Sequence, residues 1–322
     1  MLVLKKILLL MALAMLMVGC GDQLQEPPPN PDPAKPFAIL TDQIGRQVTF
    51  KVKPERIAVT SAGFLEPLHQ LDGNIVGRPD SRTQMPEWAK SADIASIGPV
   101  YQIDVELLIA CRPDLVIINK GMNEKLLGVL SENNIHALVL DMKTFGSFKR
   151  VMRTFAILTD NESKGEDMIA DMERRIDDVI ETLPKENHRV AILHSTAQGL
   201  SVQLEGSIAG DIVKKFGWTN VADGMTPLEN NPDAAPYSME TLAEQNPEII
   251  FVTSMGPIEE IKADMENMIA GNEAWRSIGA VRDGRVYYLP QDLFLLSPGL
   301  RYPEAFETIA QLIYPTLFPT EN

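Results

Sequence analysis

Cysteine, histidine and basic residues are all scarce in this chain of 322 residues. It contains 2 cysteines and 4 histidines, and 44 acidic side chains outnumber 29 basic ones. The net charge of −15 argues against binding to nucleic acid and against adhesion to anionic lipid. So few histidines also argue against a site for bare zinc or manganese, which needs several ligands facing one point. Cys111 lies on the apolar face of a predicted helix, which indicates a buried, inert thiol.

Long apolar runs are lacking beyond the N-terminus. The first residues have two lysines, an apolar run over residues 7–18 that is too short to span a bilayer, and Val-Gly before Cys20. This layout resembles a bacterial lipoprotein signal, in which cleavage precedes Cys20 and lipid is added to its sulfur. An ordinary signal or a buried apolar segment is the alternative. Removal of residues 1–19 leaves 303 residues at a net charge of −17, with no internal disulfide.

The pattern along the chain predicts five segments. Residues after Cys20 are rich in proline and polar side chains and have no apolar periodicity, which is typical of a semi-extended tether. The predicted boundaries are 1–19 for the signal peptide, 20–36 for the tether, 37–146 for an N-terminal lobe, 147–184 for a connecting helical region and 185–322 for a C-terminal lobe.

Strand-like and helical patterns alternate in both lobes. Residues 115–118 are a continuous apolar run, and "RVAILH", "EIIFVTS" and "GRVYYLP" are further strand candidates. An early hairpin surrounds Asp42, and the helical region breaks at residues 159–161, where Ser163 and Glu166 have capping-box spacing. The fold class predicted is α/β, with two parallel-sheet lobes joined by a single long helix. A ligand cleft is expected between them, at the carboxyl ends of the strands.

Four stretches carry a family resemblance: "PERIAVTSAGFLEPLHQLDGNIVGRP", "VELLIACRPDLVII", "YSMETLAEQNPEIIF" and "GAVRDGRVYYLP". Together they resemble the substrate-binding proteins of ABC importers for iron-siderophores, haem and cobalamin. The resemblance implies two α/β lobes bridged by one long helix, with limited closure on the ligand. It also implies a monomer on the outer face of the cytoplasmic membrane, held by its lipid and partnered by an ABC permease dimer with its ATPase.

One surface glutamate in each lobe docks onto permease arginines in this family. The matching positions are Glu66 in "GFLEPL" and Glu240 in "YSMETL". The alternative for either residue is a carboxylate that is favoured near a helix N-terminus.

Within the family, "NIVGRPDSRTQMP", "TSMGPIEEIK" and "GRVYYLPQDLF" resemble Gram-positive haem-receptor lipoproteins. In those proteins the iron ligand of the N-terminal lobe is a methionine a few residues after a glycine. Other haem-binding proteins of the same fold have a tyrosine there, and this chain has Tyr101. A phenolate oxygen suits ferric iron and is an established haem ligand. The alternative is a tyrosine that packs over the cleft rim with its hydroxyl in solvent.

The second axial ligand stays open at this point. The family's histidine slot is Met255 here, which could ligate iron through its thioether or form an apolar wall against a porphyrin face. His194, at the end of the strand "RVAILH", is the other candidate, with a structural role as the alternative.

Haem carries two carboxylates, for which cations near the cleft are the expected partners. The candidates are Arg78, Arg82, Lys120 and Arg301. The same cations would suit a siderophore, and solvated surface charge is the alternative for each.

An enzyme with an interlobe active site is the rival class. The chain has no Gly-x-Ser-x-Gly elbow, no phosphate-cradling glycine loop and no cysteine available as nucleophile. The sequence therefore predicts a membrane-tethered binding protein without catalytic residues. Its transported ligand is expected to be haem, with a ferric siderophore or cobalamin as the alternative.

Overall fold

The computed structural model describes residues 35–81, 85–196, 199–255, 257–295 and 297–319. A hairpin of two strands opens this part of the chain and a five-stranded sheet follows it. The strands are β1 (Ala38–Thr41), β2 (Gln47–Phe50), β3 (Ile57–Val59), β4 (Ile75–Asp80), β5 (Ala95–Pro99), β6 (Leu115–Asn119) and β7 (His136–Leu140). The sheet has the order β5-β4-β3-β6-β7 and all its pairings are parallel.

The C-terminal lobe contains the second sheet. Its strands are β8 (Arg189–Thr196), β9 (Gly199–Gln203), β10 (Thr219–Asn220), β11 (Ala234–Pro236), β12 (Ile249–Ser254) and β13 (Val286–Tyr288). The order is β11-β9-β8-β12-β13, and β10 pairs with the start of β8. Strand β9 runs antiparallel to both its neighbours, whereas β8, β12 and β13 are parallel.

Helices cover both sheets. They are α1 (Leu65–Gln70), α2 (Val105–Ala110), α3 (Leu126–Glu132), α4 (Phe145–Thr159), α5 (Glu162–Thr182), α6 (Ile208–Lys215), α7 (Met239–Gln245), α8 (Ile258–Gly271), α9 (Glu273–Ser277), α10 (Gly279–Arg282), α11 (Gln291–Phe294) and α12 (Tyr302–Ile313). Short 3₁₀ turns occupy Ala62–Phe64, Glu87–Lys90 and Gly299–Arg301. Within the described ranges, none of the helices has the length and apolar character that crossing a bilayer requires.

Local sequence explains several of these elements. The apolar run at the start of β6 is completely buried, as expected for a central parallel strand covered on both faces. Helix α2 begins where the carboxylate of Asp104 accepts hydrogen bonds from the backbone N–H groups of Glu106 and Leu107. The α/β prediction with two lobes is confirmed, whereas strands β5, β9, β10 and β11 were not predicted from the sequence. The segment boundaries stay a prediction.

The β1–β2 hairpin lies against the free edge of β7. The Asp42 carboxylate is buried and accepts hydrogen bonds from Arg46, from the backbone N–H of Ile44 and from that of Val139 in β7. Burial raises the pKa of this carboxyl, but the hydrogen bonds from Arg46 and Val139 outweigh it and hold the pKa below its ordinary value. Arg46 also donates to the Ala137 carbonyl. The hairpin is thus tied to an otherwise unpaired sheet edge.

Two helices in succession connect the lobes, and the longer of them, α5, has 21 residues. The break falls where the sequence predicts it, at Asp160, which adopts the left-handed conformation with φ 62°. The predicted capping box is wrong, because Ser163 lies inside α5 and Glu166 instead pairs with Arg153 on α4. The capping box that exists is at the start of α4, between Thr144 and Ser147.

One continuous hydrophobic core extends through both lobes. It includes side chains of the first sheet, of α4, of the second sheet and of α12, among them Val59, Ile117, Leu140, Phe148, Phe155, Val190, Ile192, Phe251 and Phe306. Because the lobes share this core, moving one lobe as a rigid body relative to the other would expose buried apolar surface. The fold therefore favours small closing movements.

Tyr302 lies at the centre of the contact between the lobes. Its side chain is fully buried and packs against Phe145 and Phe148, with ring centroids 5.5 and 5.4 Å away. Its hydroxyl donates a 2.6 Å hydrogen bond to the carbonyl of Met142, which follows β7. Ser297 donates to the same carbonyl at 3.1 Å.

We expect Tyr302→Phe to lower the free energy of unfolding by about 1 kcal/mol, because one buried hydrogen bond is lost. Tyr302→Ala should cost about 3–5 kcal/mol, since it also leaves a cavity among aromatic rings. Urea denaturation measures both. Tyr287→Phe is the matched control, because the Tyr287 hydroxyl has no hydrogen bond within the described ranges, and an equal loss in that variant would contradict the assignment.

Candidate ligand site between the lobes

The carboxyl end of β7 meets the C-terminal lobe. Met142, just after β7, contacts Ser297 and Tyr302 of the C-terminal lobe. On the other side, Gln291, shortly after β13, donates a 3.1 Å hydrogen bond to Ser254 at the end of β12. Loops after parallel strands, at the meeting of two lobes, are where ligands bind in folds of this type.

Tyr101 is displayed by a rigid turn after β5. The turn closes through backbone hydrogen bonds of 2.9 Å from Gln102 to Pro99 and from Asp104 to Ile97. Gly98 has φ +87°, and a Cβ there would lie 3.2 Å from the Gln102 carbonyl, so the tight turn requires glycine. The Tyr101 side chain is 62% exposed, and its hydroxyl has no partner among the residues that the structure describes. A large, accessible phenol is thus held at the sheet edge.

The loop after β6 lies beside that turn. Asn123 in this loop is fully buried and donates a 3.0 Å hydrogen bond to the Val100 carbonyl, next to Tyr101. Lys120 and Met122 of the same loop are exposed. The Lys120 ammonium has no carboxylate partner in the described part of the chain. The two loops therefore combine a phenol, a thioether and a cation.

His194 lies near the carboxyl end of β8, opposite Thr253 of β12. Its ring Nδ1 is 2.9 Å from the Thr253 hydroxyl, which can itself donate to the Leu193 carbonyl at 3.2 Å. Burial lowers the pKa of the His194 imidazole below its ordinary 6.5. At neutral pH the ring is therefore uncharged and keeps a lone pair on one nitrogen, which is the form that binds metals.

Met255 follows β12 directly. Its backbone N–H donates to the Ser195 carbonyl at 3.0 Å, whereas its side chain is 60% exposed. The exposed thioether provides apolar surface at the carboxyl edge of the second sheet.

A cavity of about 440 Å³ lies between the lobes and brings together two residues singled out from the sequence, Glu66 and Arg301. Neither side chain is free. Glu66 accepts hydrogen bonds from Trp88 and Gln70, while the Arg301 guanidinium donates to Glu304 and Asp292. The Glu304 carboxylate above all, with Asp292, raises the pKa of Arg301 above its usual range. Its positive charge is therefore already neutralised.

Arg78 is committed within the N-terminal lobe. Its Nε donates to the Ala89 carbonyl at 2.7 Å, and its Nη1 lies 3.4 Å from an Asp80 oxygen. The guanidinium fastens the 3₁₀ turn Glu87–Lys90 to β4, so its ligand-binding role stays a prediction. Arg82 and Cys20 lie outside the described residues.

Glu66 and Glu240 occupy equivalent helical positions. Each is the second residue of its helix, α1 and α7 respectively. Glu240 is exposed and has no partner within the described ranges, whereas Glu66 is half-buried under Trp88. The geometry agrees with a role in docking and equally with the known preference for carboxylates near helix N-termini.

Tyr101, Lys120 and Met255 thus follow β5, β6 and β12, and His194 lies near the end of β8. Glu66 and Arg301 line the cavity, whereas the other four candidates are not among its lining residues. Sequence reasoning missed Met122, Asn123 and Thr253. Met122 could have been found from its place two residues after Lys120, but the contacts of Asn123 and Thr253 depend on tertiary structure. No cluster of three or more His, Cys, Asp or Glu side chains that could hold a bare metal ion occurs among the described residues.

The family described as Periplasmic binding protein matches residues 57–293, most of the chain. The protein belongs to this family. It is a binding protein rather than an enzyme, since its relatives are binding proteins of transport systems.

Three relatives cover nearly all or most of the chain. The Fe(3+)-citrate-binding protein YfmC of Bacillus subtilis is 24% identical over 307 residues, 92% of this chain and 93% of its own length. The petrobactin-binding protein YclQ of the same species is 26% identical over 317 residues, 93% of each chain. The high-affinity heme uptake system protein IsdE of Staphylococcus aureus is 24% identical over 271 residues, 82% of this chain and 87% of its own.

The fold of this periplasmic binding protein is shared with solved structures. An ABC transporter substrate-binding protein from Listeria monocytogenes superposes with a TM-score of 0.72 at 25% identity, covering 82% of this chain and all of that one.

We expect His194 to titrate below pH 6.5 because burial disfavours its charged form. The unfolded chain then binds more protons than the folded one, so stability is lost as the pH falls through the unfolded pKa towards the folded one. Urea denaturation at pH 7.5 and pH 5.5 should show a smaller pH dependence in His194→Gln than in the unmodified protein. An NMR titration midpoint at or above 6.5 for this ring would contradict the assignment.

Proposed function

We propose that this protein is an extracytoplasmic receptor that delivers an iron-containing ligand, haem, to an ABC importer. The observation that carries the proposal is a group of exposed large side chains on loops at the carboxyl ends of the sheets. Tyr101 is 62%, Met255 60% and Met122 44% exposed. Exposed apolar patches around a cleft are typical of ligand contact surfaces. A flat porphyrin would cover these side chains and bury their apolar surface.

Tyr101 is the proposed iron ligand of the N-terminal lobe. A phenolate oxygen is a hard donor that suits ferric iron, and tyrosine ligation of haem is established chemistry. The turn presents the hydroxyl without an internal partner, so no existing hydrogen bond has to be broken. In the C-terminal lobe, His194 is the better candidate for the second ligand because its imidazole is neutral and held by Thr253. Met255 then provides an apolar wall.

The charges near the cleft also favour haem. Lys120 is a free cation for one haem carboxylate, whereas Arg78 and Arg301 are engaged with protein acceptors. Of the three candidate cations that the structure describes, only Lys120 is unpaired, and a ferric chelate with several anionic groups would use more than one. In the cavity beside Glu66, Arg301 is already paired with Asp292 and Glu304, so no described cation in its lining is left for a strongly anionic ligand.

A ferric siderophore is the second candidate. It is supported by the relatives named for ferric citrate and petrobactin, which match this chain over as much of its length as the haem-uptake relative or more. Cobalamin is the remaining alternative within the family resemblance.

Titration with hemin should give a Soret band with saturable binding, and Tyr101→Phe should change its position and weaken binding about tenfold or more. The ring stays in this variant, and only the proposed iron ligand is lost. Tyr287→Phe, the same change in β13, should leave the spectrum unaltered.

Parallel titrations with ferric citrate, petrobactin and cobalamin decide between the candidates. Saturable binding of one of these, with no saturable hemin spectrum, would overturn haem as the ligand. If the hemin spectrum is identical in the Tyr101→Phe variant, Tyr101 is not the iron ligand, whereas haem remains the proposed transported ligand.

Delivery requires the receptor to stay at the membrane and to engage the permease. We propose that lipid on Cys20 provides the anchor and that Glu66 and Glu240 pair with permease arginines. Glu240 is freely exposed for such a pair, and Glu66 is oriented by Trp88 and Gln70. A fixed carboxylate loses less rotamer entropy when an arginine binds it.

With the receptor saturated by hemin, Glu66→Gln and Glu240→Gln should reduce ligand-dependent stimulation of the importer ATPase in vesicles, because each removes one charge of a docking pair. Glu244→Gln, on the exposed face of the same helix α7, is the matched control and should retain stimulation. Equal stimulation in all three variants would contradict docking at these glutamates.

A further inference from the structure

The buried side chain of Asn123 is unusual in the N-terminal lobe. It is 0% exposed, and its Oδ1 has no hydrogen-bond partner within the described part of the chain. A buried acceptor without a partner costs free energy, and native proteins contain few of them. An apolar residue of similar size would fill the same space without that cost. The reason for an amide at this position must therefore be the hydrogen bond that its nitrogen, Nδ2, donates.

The Nδ2 atom of Asn123 contacts the turn that carries Tyr101. Asn123 Nδ2 donates a 3.0 Å hydrogen bond to the Val100 carbonyl, across 23 residues of sequence. The contact fixes the orientation of the amide, because a carbonyl can only accept and the nitrogen must face it. Val100 and Tyr101 are the two central residues of the turn that Pro99 and Gln102 close. The bond is thus made next to the exposed phenol.

The loop that carries Asn123 is itself anchored. The backbone N–H of Asn123 donates to the Asn119 carbonyl, and the backbone carbonyl of Asn123 accepts a hydrogen bond from the N–H of Leu126 at the start of α3. Lys120 and Met122 lie between these anchors. One buried amide therefore joins the turn of Tyr101 to the loop of Lys120 and Met122.

We propose that Asn123 is a positioning residue that holds Tyr101, Lys120 and Met122 as one preformed contact surface for the ligand. This inference rests on the proposed function. Preforming the surface lowers the ordering entropy that ligand binding must overcome. Asn123 does not touch the ligand and acts through the turn.

Asn123→Leu separates positioning from folding. Leucine has a similar volume and removes the unpaired acceptor, so the urea midpoint should change little. The loss of the bond to Val100 should free the turn, and chymotrypsin should then cleave the ligand-free protein after Tyr101 faster than the unmodified chain, as measured by mass spectrometry. Asn133→Leu is the matched control, because Asn133 Nδ2 makes a similar bond to the Val129 carbonyl away from the turn.

Hemin affinity gives the second readout. We expect Asn123→Leu to weaken it about fivefold to tenfold, the factor that corresponds to one typical hydrogen bond. Faster cleavage with hemin binding unchanged would overturn the positioning role. If the folded variant is cleaved no faster than the unmodified protein, Asn123 does not hold the turn of Tyr101, and the proposal is wrong.

The ligand can be wrong while the role of Asn123 is right. If the unmodified protein binds ferric citrate or petrobactin in place of hemin, haem is overturned as the ligand. The affinities of the unmodified protein and of Asn123→Leu for the chelate that binds then support or overturn the role of Asn123.

Discussion

The shared hydrophobic core is the constraint on which the rest of the structure depends. Side chains of both sheets pack against α4 and α12 in one continuous cluster, and Tyr302 joins the lobes through Met142 at its centre. Sliding the lobes apart would expose that surface to water, so the relative position of the two sheet edges is set before any ligand arrives. The binding surface consequently has to be complementary to its ligand in the free protein.

The preformed site that we propose depends on the conformation of the loops that carry its residues. The turn of Tyr101 is closed by two backbone hydrogen bonds and a glycine, and the amide of Asn123 ties it to the next loop. His194 is likewise held by Thr253 across two central strands. In the proposed site, the strands thus position the polar groups, and the exposed aromatic and thioether side chains would supply contact area. Affinity in such a site comes from the small amount of ordering that remains to be done on binding.

Local features of the fold were predictable from sequence, and tertiary contacts were not. The apolar run of β6, the cap at Asp104 and the helix break at Asp160 each depend on neighbouring residues, so their patterns are visible in the sequence. Strand β5 is a half-exposed edge strand with a weak apolar pattern, and it was missed. Among the candidate residues, the place of Tyr101 in a turn after Gly98 was predictable from the sequence, whereas its role stays a prediction. The engagement of Arg301 with Asp292 and Glu304 was not, because a cation shows no sign in sequence of which carboxylates will surround it.

The hairpin of β1 and β2 is joined to the outer edge of the first sheet by the buried Asp42 carboxylate and by Gln43, whose backbone N–H donates to the Val139 carbonyl. Because hydrogen bonds lower the pKa of this group, their contribution is present at neutral pH and is lost as the pH falls through the folded pKa. A protonated Asp42 would hold Arg46 and the β7 backbone less firmly, and the bonds of Gln43 would then carry more of the contact that covers this edge. Acid would thus weaken the cover of this sheet edge, so the resistance of the protein to edge-to-edge association in acidic surroundings depends in part on one buried carboxylate.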